Sequence, residues 1–138
     1  MEKKTILLVE DDQLDVISVE RSLNKIDQNY VLYTAYNGIE ALEILREKAD
    51  CLPDVILLDL NMPMMNGIEF LRAIRADEQY KNIEVFIMTT SGEEADRRHA
   101  EDLGISGYLI KPLNFTDNNK RTDSLDAFFQ FHLRKIFA

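Results

Sequence analysis

The chain has one cysteine, no tryptophan, two histidines and few basic residues for its 138 positions. A lone thiol, Cys51, cannot close an internal disulfide, so a reducing compartment is expected and an ordinary semi-buried thiol is the reading for Cys51. Lysine and arginine number 16 against 25 acids, for a formal net charge of -9. Such a balance argues against nucleic acid or an anionic membrane as a direct partner, since both attract basic patches. A cation or a protein is the partner it suits. The longest apolar runs span only a few residues, far below the roughly 20 that cross a bilayer. The run Thr5–Val9 after Met1-Glu2-Lys3-Lys4 is too short for a signal-peptide core. A soluble, cytoplasmic protein is therefore expected. No repeat, linker or low-complexity tract is visible, and the length suits one domain over residues 1–138.

Short apolar runs alternate with stretches of helical period. Thr5–Val9, Tyr30–Thr34, Val55–Leu58, Glu84–Thr89 and Gly107–Ile110 read as strands. Between and after them, apolar residues recur on one helical face. Val16, Val19, Leu23 and Ile26 mark the first helix; Ile39, Ala41, Leu42 and Leu45 the second; Ile68, Leu71 and Ile74 the third. A weakly apolar fourth helix runs from Gly92 to Leu103 and stops at Gly104. Leu125, Phe128, Phe129, Leu133 and Ile136 line the fifth. Strands that are apolar on both faces are buried as parallel strands are. Five βα units of this kind predict a doubly wound α/β fold. The stretch from Asn114 to Asp123 is polar and reads as irregular.

Ligands of an open parallel sheet bind at the carboxyl ends of its strands. There the first strand delivers Glu10-Asp11-Asp12, the third Asp59, the fourth Thr89-Thr90-Ser91 and the fifth Lys111. Close carboxylates repel unless a cation lies among them, and a hard divalent ion such as Mg2+ meets that need. A carboxylate beside the ion can act as nucleophile toward a phosphoryl group, with an ammonium and a hydroxyl to hold the charge. Asp12 sits where the first helix begins and reads as its cap.

The set Leu8-Val9-Glu10-Asp11-Asp12, Leu57-Leu58-Asp59-Leu60-Asn61-Met62-Pro63, Asn66-Gly67, Met88-Thr89-Thr90 and Tyr108-Leu109-Ile110-Lys111-Pro112 resembles the receiver domain of two-component response regulators, stand-alone type. The resemblance runs from about Thr5 to about Ile136. It implies a flavodoxin-like three-layer (βα)5 sandwich with a parallel sheet in the order 2-1-3-4-5. Asp59 matches the phosphoacceptor. Glu10, Asp11 and Asp59, with the backbone carbonyl of Asn61, match the Mg2+ ligands. Thr89 matches the switch hydroxyl, Lys111 the lysine that pairs with the phosphoryl group, and Tyr108 the aromatic switch residue. Lys111-Pro112 matches a cis peptide common in the family.

Glu10 replaces the commoner aspartate, and Thr90 a smaller residue. The resemblance implies a sensor histidine kinase or phosphotransfer protein as donor, an unidentified downstream protein, and self-phosphorylation rather than turnover catalysis. No output domain is expected after the last helix. An aspartate-nucleophile phosphohydrolase is the main enzymatic rival, but it needs a second carboxylate where Asn61 stands. A scaffold that never takes phosphate is the other. His99 and His132 read as helix residues without catalytic roles. One or two of Met62, Met64 and Met65 are expected to pack under their loop. Glu93, Glu94, Asp96, Arg97, Arg98, Glu101 and Asp102 give the fourth helix a solvated face, with a thin apolar stripe that lets it move. Phe131 and Phe137 fall off the core stripe, which suggests a dimer or partner contact through the last helix.

Overall fold

The computed structural model describes residues 3–27, 29–90, 94–111, 115–117, 120–122 and 124–133. Readings that fall on Ser91, Gly92, Glu93, Pro112, Asn114, Asp123, Ile136 and Phe137 lie outside these residues, including the cis peptide.

The strands are β1 (Lys4–Val9), β2 (Tyr30–Ala35), β3 (Val55–Leu58), β4 (Glu84–Thr89) and β5 (Gly107–Ile110), all parallel in the order 2-1-3-4-5. The helices are α1 (Gln13–Ile26), α2 (Gly38–Glu47), α3 (Gly67–Arg75), α4 (Glu94–Leu103) and α5 (Ser124–His132). Strand side chains alternate between two faces. Ile6, Leu8, Val55, Leu57, Phe86 and Met88 pack with Val16, Val19 and Leu23 of α1 and Leu125 and Phe129 of α5. Leu7, Val9, Ile56, Leu58, Val85 and Ile87 face the other way, onto residues of α2, α3 and α4. Three layers result. Each fully buried aliphatic contributes about 1.5–3 kcal/mol, and β3, at the sheet centre, is buried at all four positions.

Polar caps place the helix starts beside the strand ends. Asp12 Oδ1 accepts from the Leu14 and Asp15 amides at 2.9 and 3.4 Å. Asn37 accepts from the Glu40 amide at 2.9 Å. Asn66 and Glu69 form a reciprocal capping box at 2.9 and 3.1 Å. Asp12 is thus a cap, as its position implied. Gly104, at φ 99°, closes α4. Of α4's residues only Ala100 is buried, so the helix has little apolar hold on the sheet. Its C-terminal end is instead tied down from α3: the Arg75 guanidinium donates to the carbonyls of Leu103 and Gly104 at 2.8–3.2 Å.

Several residues differ from expectation. Part of the polar stretch is ordered as an antiparallel pair, β6 (Phe115–Asp117) with β7 (Lys120–Thr122). Cys51 is exposed rather than semi-buried, because it lies in the surface turn before β3 with its Sγ 3.9 Å from Thr5 Oγ1. Met62 is buried and Met65 packs on the core, while Met64 is exposed. His132 packs on the ring of Phe128 at 4.4 Å and His99 sits exposed on α4.

Phe131 is 76% exposed on α5. Truncation to alanine should weaken self-association if this ring meets a second copy. Sedimentation of wild type and Phe131→Ala checks it, and identical behaviour of an associating wild type and the variant would remove the idea.

Candidate phosphoacceptor site at the carboxyl edge of the sheet

Parallel register decides which strand ends become neighbours. Val9 pairs with Leu58, Leu58 with Ile87, and Thr89 with Ile110. The residues that follow β1, β3 and β5 are Glu10, Asp59 and Lys111, and β4 ends in Thr89. The backbone continues the sheet pattern one step further, with the Asp59 amide donating to Val9 O at 3.0 Å and the Lys111 amide to Thr89 O at 2.8 Å.

Glu10 is fully buried, Asp59 is 3% exposed, and Asp11 is exposed. One carboxylate oxygen from each lies within 4.8 Å of the others. Oxygen donors at that spacing, two buried and one open to solvent, fit a hard divalent ion that keeps some of its waters. Burial pushes the Glu10 carboxyl up to about 8, with Asp59 adding to the rise and Lys111 opposing it.

Lys111 supplies the cation already present. Its Nζ lies 2.5 Å from Asp15 Oδ2, 2.7 Å from Glu10 Oε1 and 3.4 Å from Asp59 Oδ2. Glu10 Oε1 meets this ammonium as an ion pair and makes no hydrogen bond of good direction, while Glu10 Oε2 accepts from the Asp12 amide at 3.2 Å. Burial works against the Lys111 charge, but the surrounding Asp15, Glu10 and Asp59 carboxylates outweigh it and raise its pKa.

Asn61 does more than follow Asp59 in sequence. Its amide hydrogen returns to Asp59 Oδ1 at 3.0 Å, which fixes that carboxylate's rotamer. Its side-chain amide donates to both Thr89 Oγ1 at 3.0 Å and Thr90 Oγ1 at 2.9 Å. Thr90 therefore gives Asn61 a second anchor at the end of β4. Tyr108 is half-buried on β5, with the Arg97 guanidinium of α4 5.3 Å from its ring centroid.

Glu10, Asp11, Asp59, Thr89 and Lys111 thus meet at one edge, and Tyr108 sits apart on β5 against α4. Sequence reasoning missed Asp15 and the Asn61 side chain. An acid in a first helical turn is ordinarily a partner of the helix dipole, so Asp15 carried no separate signal.

A family model for the response regulator receiver domain matches residues 6–122. Response regulator Rcp1 of Synechocystis sp. is 32% identical over 130 residues, covering 91% of this chain and 88% of that protein. The phosphorylated cyanobacterial phytochrome response regulator RcpA superposes with a TM-score of 0.80 at 31% identity, covering 96% of both chains. The Mn(2+)-bound form of Rcp1 gives a TM-score of 0.81 at 29% identity, covering 96% of this chain and 95% of that one.

Proposed function

The chain belongs to the response regulator receiver domain family, a family of signalling proteins rather than classical enzymes, and from that premise we propose that it is switched by a phosphoryl group accepted on Asp59. The observation that carries this reading is the convergence of the Glu10, Asp11 and Asp59 carboxylates with the Lys111 ammonium at one strand edge.

The donor is a phosphohistidine on a sensor histidine kinase or phosphotransfer protein. An Asp59 carboxylate oxygen attacks phosphorus. The P–N bond breaks, its electron pair stays on the imidazole nitrogen, and an acyl phosphate forms. Glu10, Asp11, Asp59 and the Asn61 carbonyl would hold Mg2+, whose charge offsets that of the transferring group. The Asn61 amide donates to Asp59 Oδ1 and the Lys111 ammonium to Asp59 Oδ2, so both oxygens of the nucleophile are oriented. Lys111 then holds the new anion. Thr89 Oγ1 accepts from the Asn61 side-chain amide, which holds the hydroxyl at the edge where the phosphoryl group would sit.

Output follows from the weak apolar hold on α4. Movement of Thr89 toward the phosphoryl group opens room behind it, and Tyr108 and α4 repack, changing a protein-binding surface. The described residues contain no helix long and apolar enough to cross a membrane. A single receiver domain over 1–138 acting in the cytoplasm completes the proposal.

Intact mass after incubation with acetyl phosphate tests it. One Mg2+-dependent phosphoryl adduct is expected on the wild type and none on Asp59→Asn. An adduct that persists in Asp59→Asn would move the acceptor elsewhere. No adduct on either, with acetyl phosphate or with a phosphorylated histidine kinase as donor, would favour a scaffold.

A further inference from the structure

Lys111 is shared unequally. An ammonium has three N–H donors. Here the two shortest contacts, to Asp15 at 2.5 Å and Glu10 at 2.7 Å, are ion pairs, and the longest contact, a hydrogen bond of 3.4 Å, goes to the acceptor Asp59. Asp15 is not on the sheet edge at all. It projects from the first turn of α1, just after the Asp12 cap, and reaches Lys111 because the cap sets α1 directly beside β1. The Lys111 side chain is 8% exposed and that of Asp15 19%, so solvent screens the pair only weakly.

We propose that Asp15 competes with the phosphoryl group for the Lys111 ammonium and thereby sets how tightly the domain holds its phosphorylated state. This rests on the phosphoacceptor reading of Asp59. Before phosphorylation, Asp15 draws the ammonium away from the acceptor, which leaves the Asp59 carboxylate less shielded and more nucleophilic. After phosphorylation, the new dianion needs Lys111, and the ammonium must give up part of its contact with Asp15. Asp15 also adds negative charge near the phosphoryl group. Both effects act in one direction: they weaken retention of the anion. The Asp15 side chain reaches the site through its ion pair with Lys111, so it is a positioning residue acting through that ammonium. Glu10 cannot fill this role, because it sits in the cation-binding trio.

Beryllium fluoride, a non-hydrolysable stand-in for the phosphoryl group, gives a direct readout when titrated in saturating Mg2+. Asp15→Asn keeps the side-chain shape and removes the charge. It should bind the probe roughly five- to tenfold tighter than the wild type, the scale of one partly buried charge pair. Asp15→Glu, which keeps the charge, should stay within about twofold of the wild type. In a Lys111→Met background, Asp15→Asn should gain little, since most of the effect passes through the ammonium.

A merely structural lesion would weaken probe binding, not strengthen it. Equal or weaker binding by Asp15→Asn would overturn the competition, and so would tight binding by Asp15→Glu. A wild type that does not bind the probe at all would instead overturn the phosphoacceptor reading.

Discussion

Lys111→Met should destabilise the metal-free protein by an amount that grows with pH, about 1–2 kcal/mol near pH 6 and about 3–5 kcal/mol near pH 9. The substitution keeps the length of the side chain and removes its charge. Glu10 and Asp59 are then buried beside Asp15 with no cation among them. The folded state has one way to relieve this, which is to keep a proton on Glu10. In the wild type that carboxyl is already pushed up to about 8, first by burial and then by Asp59. A carboxyl with a raised folded pKa contributes stability that is fully present below its ordinary value of 4.5 and is lost as pH rises through about 8. Lys111 is what lowers the Glu10 pKa, so its removal lifts the value further and widens the gap between variant and wild type on the alkaline side. Thermal melts in chelator at pH 6 and pH 9 measure the difference. Millimolar Mg2+ should return most of the loss, because a divalent ion replaces the missing charge and binds only the folded site. A penalty that is the same at both pH values, or untouched by Mg2+, would mean that the three carboxylates are not coupled through Lys111.

Much of this architecture was legible in the sequence, and for one reason. Buried parallel strands must be apolar on both faces, and Val55-Ile56-Leu57-Leu58 has no alternative reading. Once the strands are placed, their carboxyl ends bring Glu10, Asp59, Thr89 and Lys111 together without further information. What was missed has a different character. Asp15 meets Lys111 only through the packing of α1 against the sheet, from a distant part of the sequence. Its local context gives a complete and ordinary explanation, an acid in a first helical turn, and so hides the tertiary one. The same holds for the Asn61 side chain, whose partners Thr89 and Thr90 lie at another strand end. The β6–β7 pair escaped because Phe115-Thr116-Asp117 and Lys120-Arg121-Thr122 are short and mostly polar, with no alternation to mark them. In sequence only Asn118-Asn119 separates the two strands, and asparagine is a residue type that suits a two-residue connection.

Gly67→Ala should be the reverse of the usual outcome for a glycine at a helix start. In an exposed helix, alanine in place of glycine gains roughly 0.5–1 kcal/mol. At Gly67, the first residue of α3, a Cβ would fall 2.4 Å from the Asp59 carbonyl oxygen and 2.6 Å from Leu60 Cα. Both atoms are backbone, so no side chain can swing aside. Either α3 retreats or the segment that carries Asp59 moves. The first breaks the bond from the Gly67 amide to Leu60 O, now 3.1 Å, and disturbs the packing of Phe70, Leu71 and Ile74, all fully buried. The second displaces Asp59 and the Asn61 amide that orients its carboxylate. Overpacking of this kind should lower stability by about 2–3 kcal/mol, read from the midpoint of denaturant unfolding. A displacement near 1 Å should also slow adduct formation from acetyl phosphate by roughly tenfold to a hundredfold under conditions where the variant is fully folded. The two readouts separate the possible responses of the chain. Loss of stability with a normal rate of adduct formation would show that α3 gives way and the Asp59 segment holds. A slow rate with little loss of stability would show the opposite. A variant more stable than the wild type and equally fast would mean that the contact between the start of α3 and the Asp59 carbonyl does not constrain the site.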